Sequence, residues 1–142
     1  MMKKVLFVCL AMALMIAPAV MLAAPVAART CGDIDIKIDI KPWSCPNSIN
    51  LKSHGVIPVA ILTTDVFDAL TVDPDTVLFA SAPPVRWAVE DVDDDGDMDI
   101  ILHFKTQETN IMPGDTEATL TGQTFDGAPI IGTDSVRTVP TL

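Results

Sequence analysis

The sequence is poor in the side chains that most catalysis needs. It has no tyrosine, only two histidines (His54 and His103) and three cysteines. No G-x-S-x-G nucleophile motif occurs. His103 alternates with apolar neighbours in a strand-like run, and His54 lies in the polar turn Lys52-Ser53-His54-Gly55. Neither has the surroundings of a general base. Paired carboxylates of the kind glycosidases use are plentiful, but the densest are better explained by a cation. The expectation is that the protein is not an enzyme. Basic residues are also scarce, nine Lys and Arg against nineteen Asp and Glu. Nucleic-acid binding needs a basic footprint, so that class of partner is excluded. There is no internal repeat, no low-complexity linker and, past the N-terminal segment, no apolar run of membrane-spanning length.

The N-terminal segment reads as a secretory signal peptide over residues 1–28. Lys3 and Lys4 give a basic start, Val5 to Ile16 is apolar, and Val26-Ala27-Ala28 supplies small residues for cleavage. Pro18 and Pro25 interrupt the apolar stretch and weaken the rival reading of a membrane anchor. Residues 29–142 are then one domain of ordinary size, expected outside the cell with no membrane span after cleavage. Loss of Lys3 and Lys4 leaves seven basic residues against nineteen acids, a net charge of −12. Cys9 leaves with the signal. Cys31 and Cys45 remain, in a compartment where disulfides persist.

In the mature chain the signals are those of strands. Asp33 to Lys41 alternates strictly, with Ile34, Ile36, Ile38 and Ile40 on one face and charged residues on the other. Val56 to Thr63 reads as a buried strand, with Pro58 marking an edge or a bulge. Asp65 to Leu70 has room for one helical turn, and Asp73-Pro74-Asp75 is a turn with Asp73 placed as a cap. Val85 to Val89 and Ile100 to Lys105 read as strands, and weaker candidates follow Glu117. Short strands separated by turns, with no long helical period, predict an all-β fold: a single β-sandwich of about seven to nine mostly antiparallel strands.

Between two of those strands lies Asp91-Val92-Asp93-Asp94-Asp95-Gly96-Asp97-Met98-Asp99. A hard cation such as Ca²⁺ takes six to eight oxygens, and closely spaced aspartates supply them from one tight loop. Two like charges about 4 Å apart repel by roughly 4 kcal/mol at a mid-range effective dielectric, so six acids crowded here ask for a counter-charge. The alternative is a solvated acidic turn, which does not explain the glycine after the third alternate acid. The start matches an EF-hand, but the twelfth position is Leu102, where an EF-hand needs a bidentate Glu.

The D-x-D-x-D-G-x-x-D pattern resembles the calcium loops of FG-GAP (integrin-type) repeats, in which the ion sits in a turn between strands. That resemblance implies Asp91, Asp93, Asp95 and Asp99 as side-chain ligands and Asp97 as a carbonyl ligand. A wider resemblance covers most of residues 36–139. Its motifs are Ile38-Asp39-Ile40-Lys41-Pro42, Cys45-Pro46-Asn47-Ser48-Ile49-Asn50, Gly55-Val56-Ile57-Pro58-Val59-Ala60-Ile61-Leu62, Val85-Arg86-Trp87-Ala88 and Leu102-His103-Phe104. They are similar to a calcium-associated β-domain of secreted bacterial and archaeal proteins. It implies an extracellular Ca²⁺-bearing β-domain with no known reaction.

The cysteines bear on assembly. A straight strand over Asp33–Lys41 spans about 26 Å at roughly 3.3 Å per residue. The six residue steps left between Cys31 and Cys45 reach at most about 21 Å, and a disulfide holds its Cα atoms within about 7 Å. Either the strand bends or ends early, giving an ordinary intrachain bridge, or the cysteines pair between subunits. The second choice fits a terminal strand, with its isoleucine face, added to a neighbour's open sheet edge, which propagates into filaments. The expectation is therefore a secreted calcium-binding structural protein that self-assembles by strand exchange into a filament or matrix. The alternative is a soluble calcium-dependent module for a glycan or a cell-surface protein. Trp43, between Pro42 and Ser44, is then the exposed candidate platform, and Trp87, in alternation with Val85 and Val89, is expected in the core.

Overall fold

The computed structural model describes residues 32–139. The expected signal peptide and Cys31 lie outside the described residues. The described residues form ten short strands: β1 Ile34–Asp35, β2 Lys37–Ile40, β3 Ser48–Asn50, β4 Val56–Leu62, β5 Leu78–Phe79, β6 Pro84–Glu90, β7 Asp99–Lys105, β8 Glu117–Gln123, β9 Pro129–Ser135 and β10 Arg137–Val139. One four-stranded sheet has the order β2-β4-β7-β6, a second has β1-β9-β8-β5, and β10 pairs with β3. The β1–β9 and β10–β3 pairs are parallel and the rest antiparallel. The protein is all-β. No described helix is long and apolar enough to cross a membrane.

The core lies between the two larger sheets. From the first sheet come Ile38 and Ile40, then Val59 and Ile61, then Ile100, Leu102 and Phe104. Phe79, Leu120 and Ile130 meet them from the second. The Phe79 and Phe104 rings lie 5.3 Å apart, tilted by 42°, within the range of favourable aromatic pairs.

Residues 33–41 form two strands where the alternation predicted one. β1 pairs with β9 in the second sheet and β2 with β4 in the first, and the chain changes sheets at Ile36. Close packing explains the crossing. Gly132 on β9 lies beneath it, and a side chain there would meet Ile38 at 2.7 Å and the Ile36 carbonyl at 3.0 Å. Within this chain the segment pairs with the chain's own two sheets. Ile36, Ile38 and Ile40 are buried in its core, and Ile34 alone of the four isoleucines is exposed. The straight strand that made a Cys31–Cys45 bridge taut is not there.

Pro58 is not at an edge either, because β4 lies between β2 and β7. Its carbonyl accepts from Lys41 N at 2.7 Å, just past the end of β2, so its missing N–H interrupts no ladder. The expected cap does form. Asp73 precedes the 3₁₀ turn Pro74–Thr76 and accepts from Asp75 N at 3.1 Å. The helical turn expected near Asp65–Leu70 is a 3₁₀ turn at Ala69–Thr71.

Candidate metal site in the acidic loop

β6 and β7 are antiparallel neighbours, with Glu90 opposite Asp99. The chain between them is the acidic loop. Two residues in it take the left-handed backbone, Asp94 at φ 61° and Gly96 at φ 97°. Glycine does so without strain, and aspartate is among the few other residues that tolerate it. These two reversals fold the loop onto its own first side chain. Asp91 Oδ1 accepts from Asp95 N at 3.2 Å, and Asp91 Oδ2 accepts from Gly96 N at 3.0 Å.

The far end is fixed from inside the protein. Asp99 is fully buried. Its Oδ2 accepts from Val92 N and its Oδ1 from Thr63 N, each at 2.8 Å. A buried carboxylate needs such partners. Thr63, just past β4, also donates through its hydroxyl to the Met98 carbonyl at 2.7 Å and accepts from Ala69 N. The loop is thereby tied to the end of β4 and, through Thr63, to the turn at Ala69. Val92, the one buried side chain of the loop before Asp99, packs with Ala60, Leu62 and Ile101 on the face of the first sheet away from the main core.

This scaffold brings Asp91, Asp93 and Asp99 together, with one carboxylate oxygen from each within 4.8 Å of the others. The three can hold a metal ion. Asp99 is buried, Asp91 half-buried and Asp93 exposed, so the cluster opens to the surface. An ionised carboxylate has about four lone-pair positions, so accepting backbone N–H groups leaves Asp91 and Asp99 able to bind a cation as well. Without one the cluster is frustrated. The Asp93 carboxyl is held above its ordinary value of 3.8 by desolvation, then by the charges of Asp99 and Asp95.

Asp95 and Asp97 are not in this group. Asp95 Oδ1 accepts from Asp97 N at 2.9 Å, closing a small turn at the tip. Sequence reasoning missed Thr63 and Val92, which hold the loop without supplying ligands. A lone valine among aspartates was the available signal for the second. It also missed the link to Trp43, whose indole N–H donates to the Val92 carbonyl at 3.2 Å.

The other sequence candidates fall elsewhere. Cys45 is exposed. Trp43 is 73% exposed, in the predicted sense, and Trp87, expected in the core, is 50% exposed. His103 sits opposite Arg86 on β6. Its Nδ1 is buried without a hydrogen-bond partner. Desolvation and then the Arg86 charge lower its pKa from 6.5, against a smaller upward pull from Glu90. No protein-family model, no curated protein and no solved structure matches the chain.

Proposed function

We propose that this protein is a secreted, calcium-clamped β-domain with a structural role, which works by holding itself and its neighbours in place. The observation that carries the reading is the convergence of Asp91, Asp93 and Asp99 at the junction of β6 and β7. Calcium is the cation favoured by an all-oxygen site rich in carboxylates, because its coordination number and geometry can vary. Asp95 and the Asp97 carbonyl complete the ligand set by closing in when the ion binds. The ion's contribution is to neutralise the carboxylates and pin the two strands together. Isothermal calorimetry on chelator-stripped, refolded protein is the test. Heat on titration with Ca²⁺ is expected, and its absence overturns the reading.

Self-association is the other half of the proposal. Strand exchange through residues 33–41 would have to withdraw Ile36, Ile38 and Ile40 from the core and return them to an equivalent one. A Cys31–Cys45 bridge between two chains would fit that exchange.

One observation favours a second reading, a calcium-dependent module that binds a glycan or a cell-surface protein. Trp43 is held at φ 71° and is anchored to the loop through Val92, yet leaves most of its surface open. An exposed aromatic face tied to the ion-bearing loop is suited to stacking on a sugar ring. Glycan-array binding that disappears with Trp43→Ala would support this reading. Identical array profiles for the two proteins would remove it.

A further inference from the structure

The edges of the two main sheets are unequal. β1 and β5 are two residues long, and β2 is four residues long and followed by Pro42. β6 is seven residues long, ends the first sheet, and among the described residues has no strand on its free side. Long free edges are templates for pairing with another chain, and proteins ordinarily blunt them with charges on the inner face, prolines or bulges. β6 has a proline and a register shift, but both lie at its start, between Pro84 and Arg86. From Arg86 to Glu90 the edge is regular.

The inner face of that stretch is also unprotected. Trp87 and Val89 stand opposite Leu102 and Ile100, so they point to the core side of the sheet. They are nevertheless 50% and 42% exposed. An inward charge would close such an edge, and here there is a tryptophan.

The charges on the other face identify the occupant. Arg86 and Glu90 are exposed and stand symmetrically about Ala88. Neither is in the ion pair found among the described residues, which is Lys105–Glu108. If a second β6 runs antiparallel to the first with Ala88 opposite Ala88, each Arg86 faces the Glu90 of the other copy. In the same register each Trp87 faces the other copy's Val89 on the inner face. One strand thus satisfies the requirement of a two-fold interface, in which a surface complements itself.

We propose that two copies of this chain associate through antiparallel pairing of their β6 strands, centred on Ala88, joining the two four-stranded sheets into one. This deepens the self-association proposed above by naming its surface, and it is independent of the ion. The aromatic and main-chain contacts supply affinity. The charge pairs set the register, because like charges directly opposite one another on paired strands are destabilising.

The test is a charge swap on the purified protein, read by sedimentation equilibrium. The wild type is expected to reach twice the mass of one chain. Arg86→Glu places Glu against Glu at two positions and Glu90→Arg places Arg against Arg, so each alone is expected to weaken association by about tenfold or more. The double variant R86E/E90R restores opposite charges and is expected to recover the dimer. Mixing the two single variants is expected to give a heterodimer. Unchanged thermal melts of all variants would show that the fold is intact. A wild type that stays at one-chain mass at every accessible concentration overturns the proposal. If β6 amides in that monomer were also protected from hydrogen exchange, another segment of the same chain would cover the edge. Assembly that ignores both single variants also overturns β6 pairing, while leaving exchange of residues 33–41 standing.

Discussion

Residues 33–41 and 91–99 both place a charged side chain at every second position, yet they fold in opposite ways. The first becomes two strands that bridge the sheets, and the second becomes a loop. The intervening residues account for the difference. In the first stretch they are four isoleucines, three of them buried, and burying each contributes about 1.5–3 kcal/mol. In the second they are Val92, Asp94, Gly96 and Met98, of which Val92 alone is buried and two take positive φ. The charges differ as well. Lys37 and Lys41 are interleaved with Asp33, Asp35 and Asp39, whereas Asp91–Asp99 has no basic residue. One segment is thus held by apolar burial and nearly balances its own charge. The other is held by backbone hydrogen bonds to carboxylates and needs a cation from solution.

The contrast breaks most sharply when one residue of each kind is replaced and melted with and without calcium. Ile40→Ala empties a fully buried site and is expected to lose about 2–5 kcal/mol in either buffer. Asp93→Asn is expected to behave differently. Asp93 is exposed and its ionised carboxyl is disfavoured by desolvation and then by the charges of Asp99 and Asp95, so in chelator the variant should be as stable as the wild type or slightly more so. In calcium it should forfeit the stabilisation that binding confers, about 2.7 kcal/mol at a hundredfold excess over the dissociation constant. Asp99→Asn sharpens the comparison. Asp99 accepts two backbone N–H groups and is expected to matter in both buffers. An equal loss for Asp93→Asn with and without chelator would show that the loop is held by packing and not by an ion.

Periodicity made the β class and most strands legible. β4, β6 and β7 fall within one residue or so of the runs read from Val56, Val85 and Ile100, because a buried or half-buried strand must carry its apolar residues in a regular pattern. The change of sheet at Ile36 was not legible. It depends on the missing side chain of Gly132, almost a hundred residues away. Trp87 failed for a similar reason. The alternation correctly gives its face, as its register with Leu102 shows. Whether that face is covered depends on what packs across from it, which periodicity within the strand does not carry. In the loop, the acidic spacing located the cluster of Asp91, Asp93 and Asp99. The buried role of Asp99 required Thr63, which is distant in sequence and carries no motif.

The smallest expected effect lies where the self-balanced strand is imperfectly balanced. The Asp39 carboxyl is held above 3.8, first by desolvation, then by the charge of Asp134, with Lys37 opposing. Asp134 cannot turn away, because its Oδ2 accepts from Ile40 N at 2.9 Å and Asn47 Nδ2 at 3.1 Å. With the folded pKa above the unfolded one, the folded chain binds more protons between the two values, and stability rises as pH falls through that window. At neutral pH the ionised Asp39 therefore opposes folding. Asp39→Asn is expected to stabilise the protein there, by no more than a few tenths of a kcal/mol because the group is largely solvent-screened. The gain should shrink as pH falls through the raised pKa and vanish below about 3.8, where the wild-type carboxyl is protonated in both states. Urea melts of the two proteins from pH 7 down to 3 would measure it. A variant less stable than the wild type at pH 7 would mean that Lys37 outweighs burial and Asp134, and that the strand's charge is balanced after all.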